Sequence, residues 1–184
     1  MTNLFHFSHD PNITIFHPRP VRVPVQRPPG QDWLNGSLVW AIDHDHQAMY
    51  LFPRDCPRII CWPTPDTLPE DVATWWQGST RGKLAYIEQA WLERLSTATL
   101  YRYNLPVESF ETLQDAGMWV SRKAVKPLNC EQLTELPKLL AQEDTELRVV
   151  KSLVPLKRLW KTSLHVSGIR LRKATGGSLV QESK

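Results

Sequence analysis

The chain has 184 residues, with 22 Lys and Arg against 19 Asp and Glu and a formal charge of +3. That length suits one domain with a substantial core, and hydrophobic and charged fractions of 41% and 22% exclude a disordered or collagen-like chain. No apolar run reaches the roughly 18 residues of a membrane span. The opening MTNLFHFSHDP lacks the basic and apolar regions of a signal peptide, so a cytoplasmic protein with no membrane partner is expected.

In chain order, Leu4 to Ser8 is an apolar run that reads as a strand. It ends at Asp10-Pro11, because the residue before a proline avoids the helical region. Pro18, Pro20, Pro24, Pro28 and Pro29 then rule out a helix or a central strand and leave an extended surface loop. Leu38 to Ile42 and Met49 to Phe52, separated by polar residues 43–47, predict a hairpin. Arg58 to Trp62 is another β-like run. Pro69 in a first turn, followed by Val72, Trp75 and Trp76, predicts a short helix. Leu84, Ile87, Trp91 and Leu95 recur at helical spacing, so an amphipathic helix is expected over 83–95, with Thr80 as a cap near its start.

Leu100 to Tyr103 and Met118 to Ser121 read as strands. Asn129 with Gln132 three residues on resembles a capping box for a helix carrying Leu133, Leu136 and Leu140, shortened or kinked at Pro137. Leu153, Leu156, Leu159 and Trp160 predict a last helix, Ser163 to Leu171 a closing strand, and residues after Gly176-Gly177 a polar tail. Strands cluster at both ends with helices between. This predicts an α+β fold: one domain over residues 1–175 with a mixed, largely antiparallel sheet and three or four helices, then a flexible tail over 176–184.

Charge is unevenly spread. Between Leu147 and Gln181 there is no acid, but there are Arg148, Lys151, Lys157, Arg158, Lys161, Arg170, Arg172 and Lys173, which leaves the rest of the chain at −5. One reading is a basic face for nucleic acid or an acidic protein; the other is that these bases neutralise the acidic body. Arg170 and Arg172, two apart in the expected last strand, should share a face. Cys56, Cys61 and Cys130 are an odd number without an export signal, so free thiols are expected. Most of the eight tryptophans are expected in the core or in groove walls.

Several segments resemble a bacterial family of unknown function. Its HFS-x-DP-x-I-x-x-F-x-PRPV opening is matched by His6 to Val21. LVWAID at Leu38 to Asp43, YLFPRDCPRI at Tyr50 to Ile59, LYRYNLP at Leu100 to Pro106, WVSRKAVKPL at Trp119 to Leu128 and SGIRLRKA at Ser167 to Ala174 fit the same pattern. The resemblance spans nearly the whole chain and implies no activity. A more distant similarity is to the ADP-ribosyltransferase-like fold, whose first strand carries a histidine followed two places on by a small hydroxyl residue, as His6 and Ser8 do. Met49 to Arg54 is similar to a second conserved strand of that fold, while Met118 to Arg122 lacks its late-strand glutamate.

His6 and Ser8 would lie on one strand face, where an imidazole and a hydroxyl suit a ribose or a carbonyl. They are the candidate catalytic residues. Arg19 between two prolines, and Arg54 and Arg58 flanking a tight turn, suit an anion. The expected ligand pocket therefore combines His6 and Ser8 with Arg19, Tyr50, Arg54, His165 and Arg170, and takes an anionic, nucleotide-like or NAD-like molecule. The triplets His6-Phe7-Ser8 and His165-Val166-Ser167 would place two histidines on one sheet face.

His44, His46, Cys56 and Cys61 have metal-binding chemistry but not the spacing of a zinc ribbon, so no metal site is expected. Ser8-His9-Asp10 is no triad, because adjacent residues on an extended chain alternate sides. Cys130 at an expected helix start would gain thiolate character from the helix dipole, and Glu108 and Glu111 are the nearest carboxylate candidates. No P-loop, nucleophile elbow or zinc-protease motif occurs. Whether the protein is an enzyme therefore stays open on the sequence.

Overall fold

The computed structural model describes residues 2–176. The chain is α+β, and its strands form two sheets, one of six strands and one of four. These belong to two compact units. The first takes the chain up to Tyr50 and returns for Leu100–Leu133, and the second takes Leu51–Thr99 and the chain from Thr134 onward.

The first unit holds the antiparallel sheet. Its strands are β1 (Leu4–Ser8), β2 (Val39–Asp43), β5 (Leu100–Leu105), β6 (Glu111–Thr112), β7 (Met118–Ser121) and β8 (Asn129–Leu133), in the order β6-β7-β2-β1-β5-β8. One face packs Leu4, Val39, Ala41, Tyr103 and Leu105 with Phe16 and Val125. Burying each large side chain of this kind stabilises the fold by about 1.5–3 kcal/mol. The proline-rich stretch is the extended loop that its sequence predicts. It is fastened to this unit by paired backbone bonds between Arg19 and Leu38, at 3.2 and 3.1 Å. The Asn35 side-chain amide holds it again, donating to the Val25 carbonyl at 2.9 Å and accepting its N–H at 3.3 Å.

The second unit holds β3 (Arg58–Trp62), β4 (Lys83–Glu88), β9 (Thr145–Val150) and β10 (His165–Ile169), in the order β10-β3-β4-β9. Its β4–β9 pair is parallel and its other pairs are antiparallel. Helices α1 (Pro69–Trp75), α2 (Leu92–Thr97) and α3 (Leu136–Gln142) accompany it. α1 starts at Pro69 as expected. Its Asp71 carboxylate accepts both the N–H and the hydroxyl of Ser163 at 2.7 and 2.5 Å, which fixes the entry to β10.

Five expectations are corrected. Residues 83–88 are a strand because Leu84-Ala85-Tyr86-Ile87 is buried on both faces between β3 and β9, so the chance helical spacing carries less weight than the continuous apolar run; a 3-10 turn over Gln89–Trp91 then leads into α2. Gln47–Tyr50 is a 3-10 turn and no hairpin forms, since β2 finds its partners in β1 and β7. Asn129–Leu133 is the polar edge strand β8, and α3 begins after Glu135 in the left-handed region (φ 53°). Pro137 thus lies in the first turn of α3, where a missing N–H costs nothing.

The remaining two concern the C-terminal part. Residues 154–161 are a 3-10 helix, which the three-residue spacing of Leu153, Leu156 and Leu159 fits better than an α-helix. β10 ends at Ile169, Arg170 is left-handed (φ 58°), and Arg172 lies in the following 3-10 turn, so the two arginines do not share a strand face. The polar tail beyond Gly176 lies outside the described residues. Trp75 is buried and Trp33 exposed; Trp33, Trp40, Trp75 and Trp91 each carry an arginine over the ring, from Arg122, Arg27, Arg158 and Arg94.

Candidate ligand pocket

The pairing of β1 with β5 runs its full length, from Leu4–Leu105 to Ser8–Tyr101. β2 likewise pairs with β7 from Val39 to Ile42. Between β1 and β2, however, pairing covers Leu4–Asp43 and Phe5–Ile42 and then stops. Beyond Phe5 the two strands fork. The Trp40 carbonyl on the β2 side of the fork is 2.9 Å from Nδ1 of the His6 imidazole. A carbonyl only accepts, so Nδ1 carries the hydrogen and the neutral ring has one defined tautomer. The ring also packs on Phe16 with centroids 4.6 Å apart.

A cavity of about 70 Å³ opens at this fork, lined by Phe5, His6, Phe7, Trp40, Ala41, Ile42, Tyr50 and Met118. Alternation along β1 sets His6 on the face opposite Phe5 and Phe7, so the fork is lined from both sides of the sheet. Tyr50 stacks on Phe7 with an interplanar angle of 15° and donates its hydroxyl to the Met118 sulfur at 3.6 Å. Phe5 carries the Arg102 guanidinium 4.8 Å from its ring centroid. Arg102 in turn donates to the buried Gln47 amide oxygen and to Glu131, both at 2.6 Å. These bonds hold the wall of the cavity on the Phe5 side.

Of the expected site residues, the fork brings together His6 and Tyr50. The Ser8 hydroxyl accepts the Asp10 N–H at 3.1 Å, and Asp10 accepts the Asn12 N–H at 2.9 Å, so both serve the turn that ends β1. Arg19 sits in its backbone bridge to Leu38. In the second unit, Arg170 donates to the Arg54 carbonyl at 3.2 Å, and His165 stacks on its cross-strand partner Trp62 with centroids 4.1 Å apart. The two histidine triplets therefore lie in different sheets, β1 and β10.

Sequence reasoning missed one arrangement. Asp43, at the end of β2, accepts the backbone N–H of His46 at 3.0 Å and its Nδ1–H at 2.7 Å. Gly117 (φ 70°) lies against this pair so closely that a Cβ there would collide with both side chains. The D-x-x-H spacing was visible in the sequence, but its glycine partner 71 positions beyond His46 was not.

The remaining candidates are placed as follows. Cys56 and Cys61 are buried, and burial pushes each thiol up to about 12. Cys130 lies exposed on β8, not at a helix start. Glu111 pairs with Arg122 at 3.4 Å. Among the described residues no group of three or more His, Cys, Asp or Glu is arranged to hold a metal ion. No helix among them is long and apolar enough to cross a membrane.

An α+β protein with an aromatic cavity in a forked sheet is the class these features define. The chain belongs to the family of unknown function DUF6886, which it matches over residues 5–174. No curated protein and no solved structure matches it significantly.

Proposed function

We propose that the β1–β2 fork is a binding site for a small molecule that presents one planar ring, as a nucleotide-like ligand does. The observation that carries this reading is the interrupted ladder: the His6 side chain takes the Trp40 carbonyl where pairing stops, and aromatic side chains line the gap. Phe5, Phe7, Trp40 and Tyr50 suit offset stacking, with ring centroids about 4.5–7 Å apart. A volume of about 70 Å³ is far below the roughly 300–1,000 Å³ of drug-sized sites, so the fork accepts no more than one planar base, single or fused, and the remainder of a nucleotide lies outside it. His6 acts here as a positioning group for the fork, and the reading assigns no reaction.

The test is a thermal-shift screen with nicotinamide mononucleotide, adenosine monophosphate, ADP-ribose and NAD. A ligand at 100 times its dissociation constant stabilises by about 2.7 kcal/mol. His6→Ala should abolish the shift, while His6→Asn, whose amide nitrogen can still donate to the Trp40 carbonyl, should retain part of it. Equal shifts in the wild type and in a folded His6→Ala variant would rule the fork out as the binding place.

A further inference from the structure

Among the described residues, two buried side-chain nitrogens have no hydrogen-bond partner: Nε of Arg27 and Nε1 of Trp40. A donor buried without an acceptor is unfavourable, because it loses its hydrogen bond to water and gains none in return. They are not scattered, because the Arg27 guanidinium lies over the Trp40 ring, 5.9 Å from its centroid. Arg27 stands on the proline-rich loop between Gln26 and Pro28. The Asn35 clamp on Val25 and the Arg19–Leu38 bridge pin that loop to the sheet, so the arginine's position is set by the fold.

An unpartnered N–H from a cation beside an unpartnered indole N–H calls for an acceptor that carries negative charge. A neutral carbonyl would leave the guanidinium charge without a counterion, whereas an oxyanion offers several acceptor oxygens on one centre and can receive both donors. Trp40 also lines the fork, so an anion here would adjoin a ring bound in the cavity.

We infer that Arg27 and Trp40 form an oxyanion subsite, which takes the phosphate or carboxylate of a small molecule. The inference deepens the pocket reading through the shared Trp40, and its test does not require a ring to bind. In a ¹⁵N-labelled full-length chain, the Trp40 indole cross-peak, assigned with Trp40→Phe, is followed during titration with inorganic phosphate and separately with acetate. Sodium chloride at matched ionic strength is the control. The subsite predicts a saturable downfield shift of that cross-peak and of the Arg27 Nε–H with at least one of the two oxyanions, and none with chloride. Arg27→Gln and Arg27→Lys should each weaken the apparent affinity about tenfold, because both lose the forked donor.

No saturable shift with either oxyanion, or a shift unchanged in both Arg27 variants, overturns the subsite. Comparing adenosine with adenosine monophosphate separates the two readings. Adenosine and its monophosphate binding equally well retains the ring pocket and removes the subsite, whereas phosphate binding with no response to adenosine retains the subsite and removes the ring pocket.

Discussion

Burial divides the three cysteines and makes them a test of the second unit's core. Cys56 and Cys61 are both 0% exposed and stay protonated in the fold up to about pH 12, held there chiefly by burial. In the unfolded chain such thiols ionise near 9. Their contribution to stability is therefore intact below pH 9 and falls as pH rises from there towards 12, by about 1.4 kcal/mol per pH unit for each thiol. Urea titrations across that range should show the decline, and Cys56→Ala with Cys61→Ala should flatten it. At neutral pH a thiol reagent should label Cys130 alone in the native protein and all three cysteines in denaturant.

Glu88 offers a second residue-scale test. Its carboxylate, 1% exposed, accepts the Leu153 N–H at 3.2 Å, the Thr175 N–H at 2.8 Å and the Thr175 hydroxyl at 2.9 Å. Glu88→Gln keeps the shape, removes the charge and replaces one acceptor with a donor. It should cost about 2–3 kcal/mol by chemical denaturation, and a cost below 0.5 kcal/mol, about the size of an ordinary surface substitution, would contradict this assignment. Gly117→Ala in the first unit should also destabilise, by about 1–3 kcal/mol, because it combines a strained positive φ with a clash against Asp43 and His46.

At the scale of elements, legibility followed the range of the interactions involved. β1, β3, β7 and α1 came through because a short apolar run, or a proline in a first turn, decides each of them locally. Residues 83–88 did not, since what makes them β is burial against β3 and β9, and β9 lies some 60 residues along the chain. Similarly, Met49 to Phe52 is apolar enough for a strand, but the Asp43 side chain bonds His46 and turns the chain into a 3-10 segment. His6 and Tyr50 were both named from the sequence, and both line the cavity. The fork that brings them together was not legible, because a ladder that stops after two pairs leaves no mark in either strand's composition. One measurement checks the reassigned segment: in native-state hydrogen exchange, β4 amides should be among the slowest, and α2 amides should exchange faster. Slow exchange continuing unbroken from 83 to 95 would restore the helix.

On the scale of the molecule, the acid-free basic stretch from Arg148 to Lys173 lies within the second unit, where several of its bases have partners. Arg148 binds Glu146 at 2.6 Å and the Trp75 carbonyl at 2.8 Å, Arg158 covers Trp75, and Arg170 holds the Arg54 carbonyl. Each unit is assembled from two separate stretches of chain. A fragment ending at Thr99 would lack β5, β7 and β8 of one sheet and β9 and β10 of the other, so it should be unfolded by circular dichroism and rapidly cleaved by proteases.

The proposal for the fork is tested most directly at Met118, whose sulfur receives the Tyr50 hydroxyl at the cavity wall. With ¹³C-methyl-labelled methionine, and the Met118 signal assigned by Met118→Leu, titration with adenosine monophosphate or nicotinamide mononucleotide should move the Met118 methyl resonance saturably, through ring current, while Met49 stays in place. A ligand that binds the protein and leaves the Met118 methyl unmoved would contradict a ring in the fork.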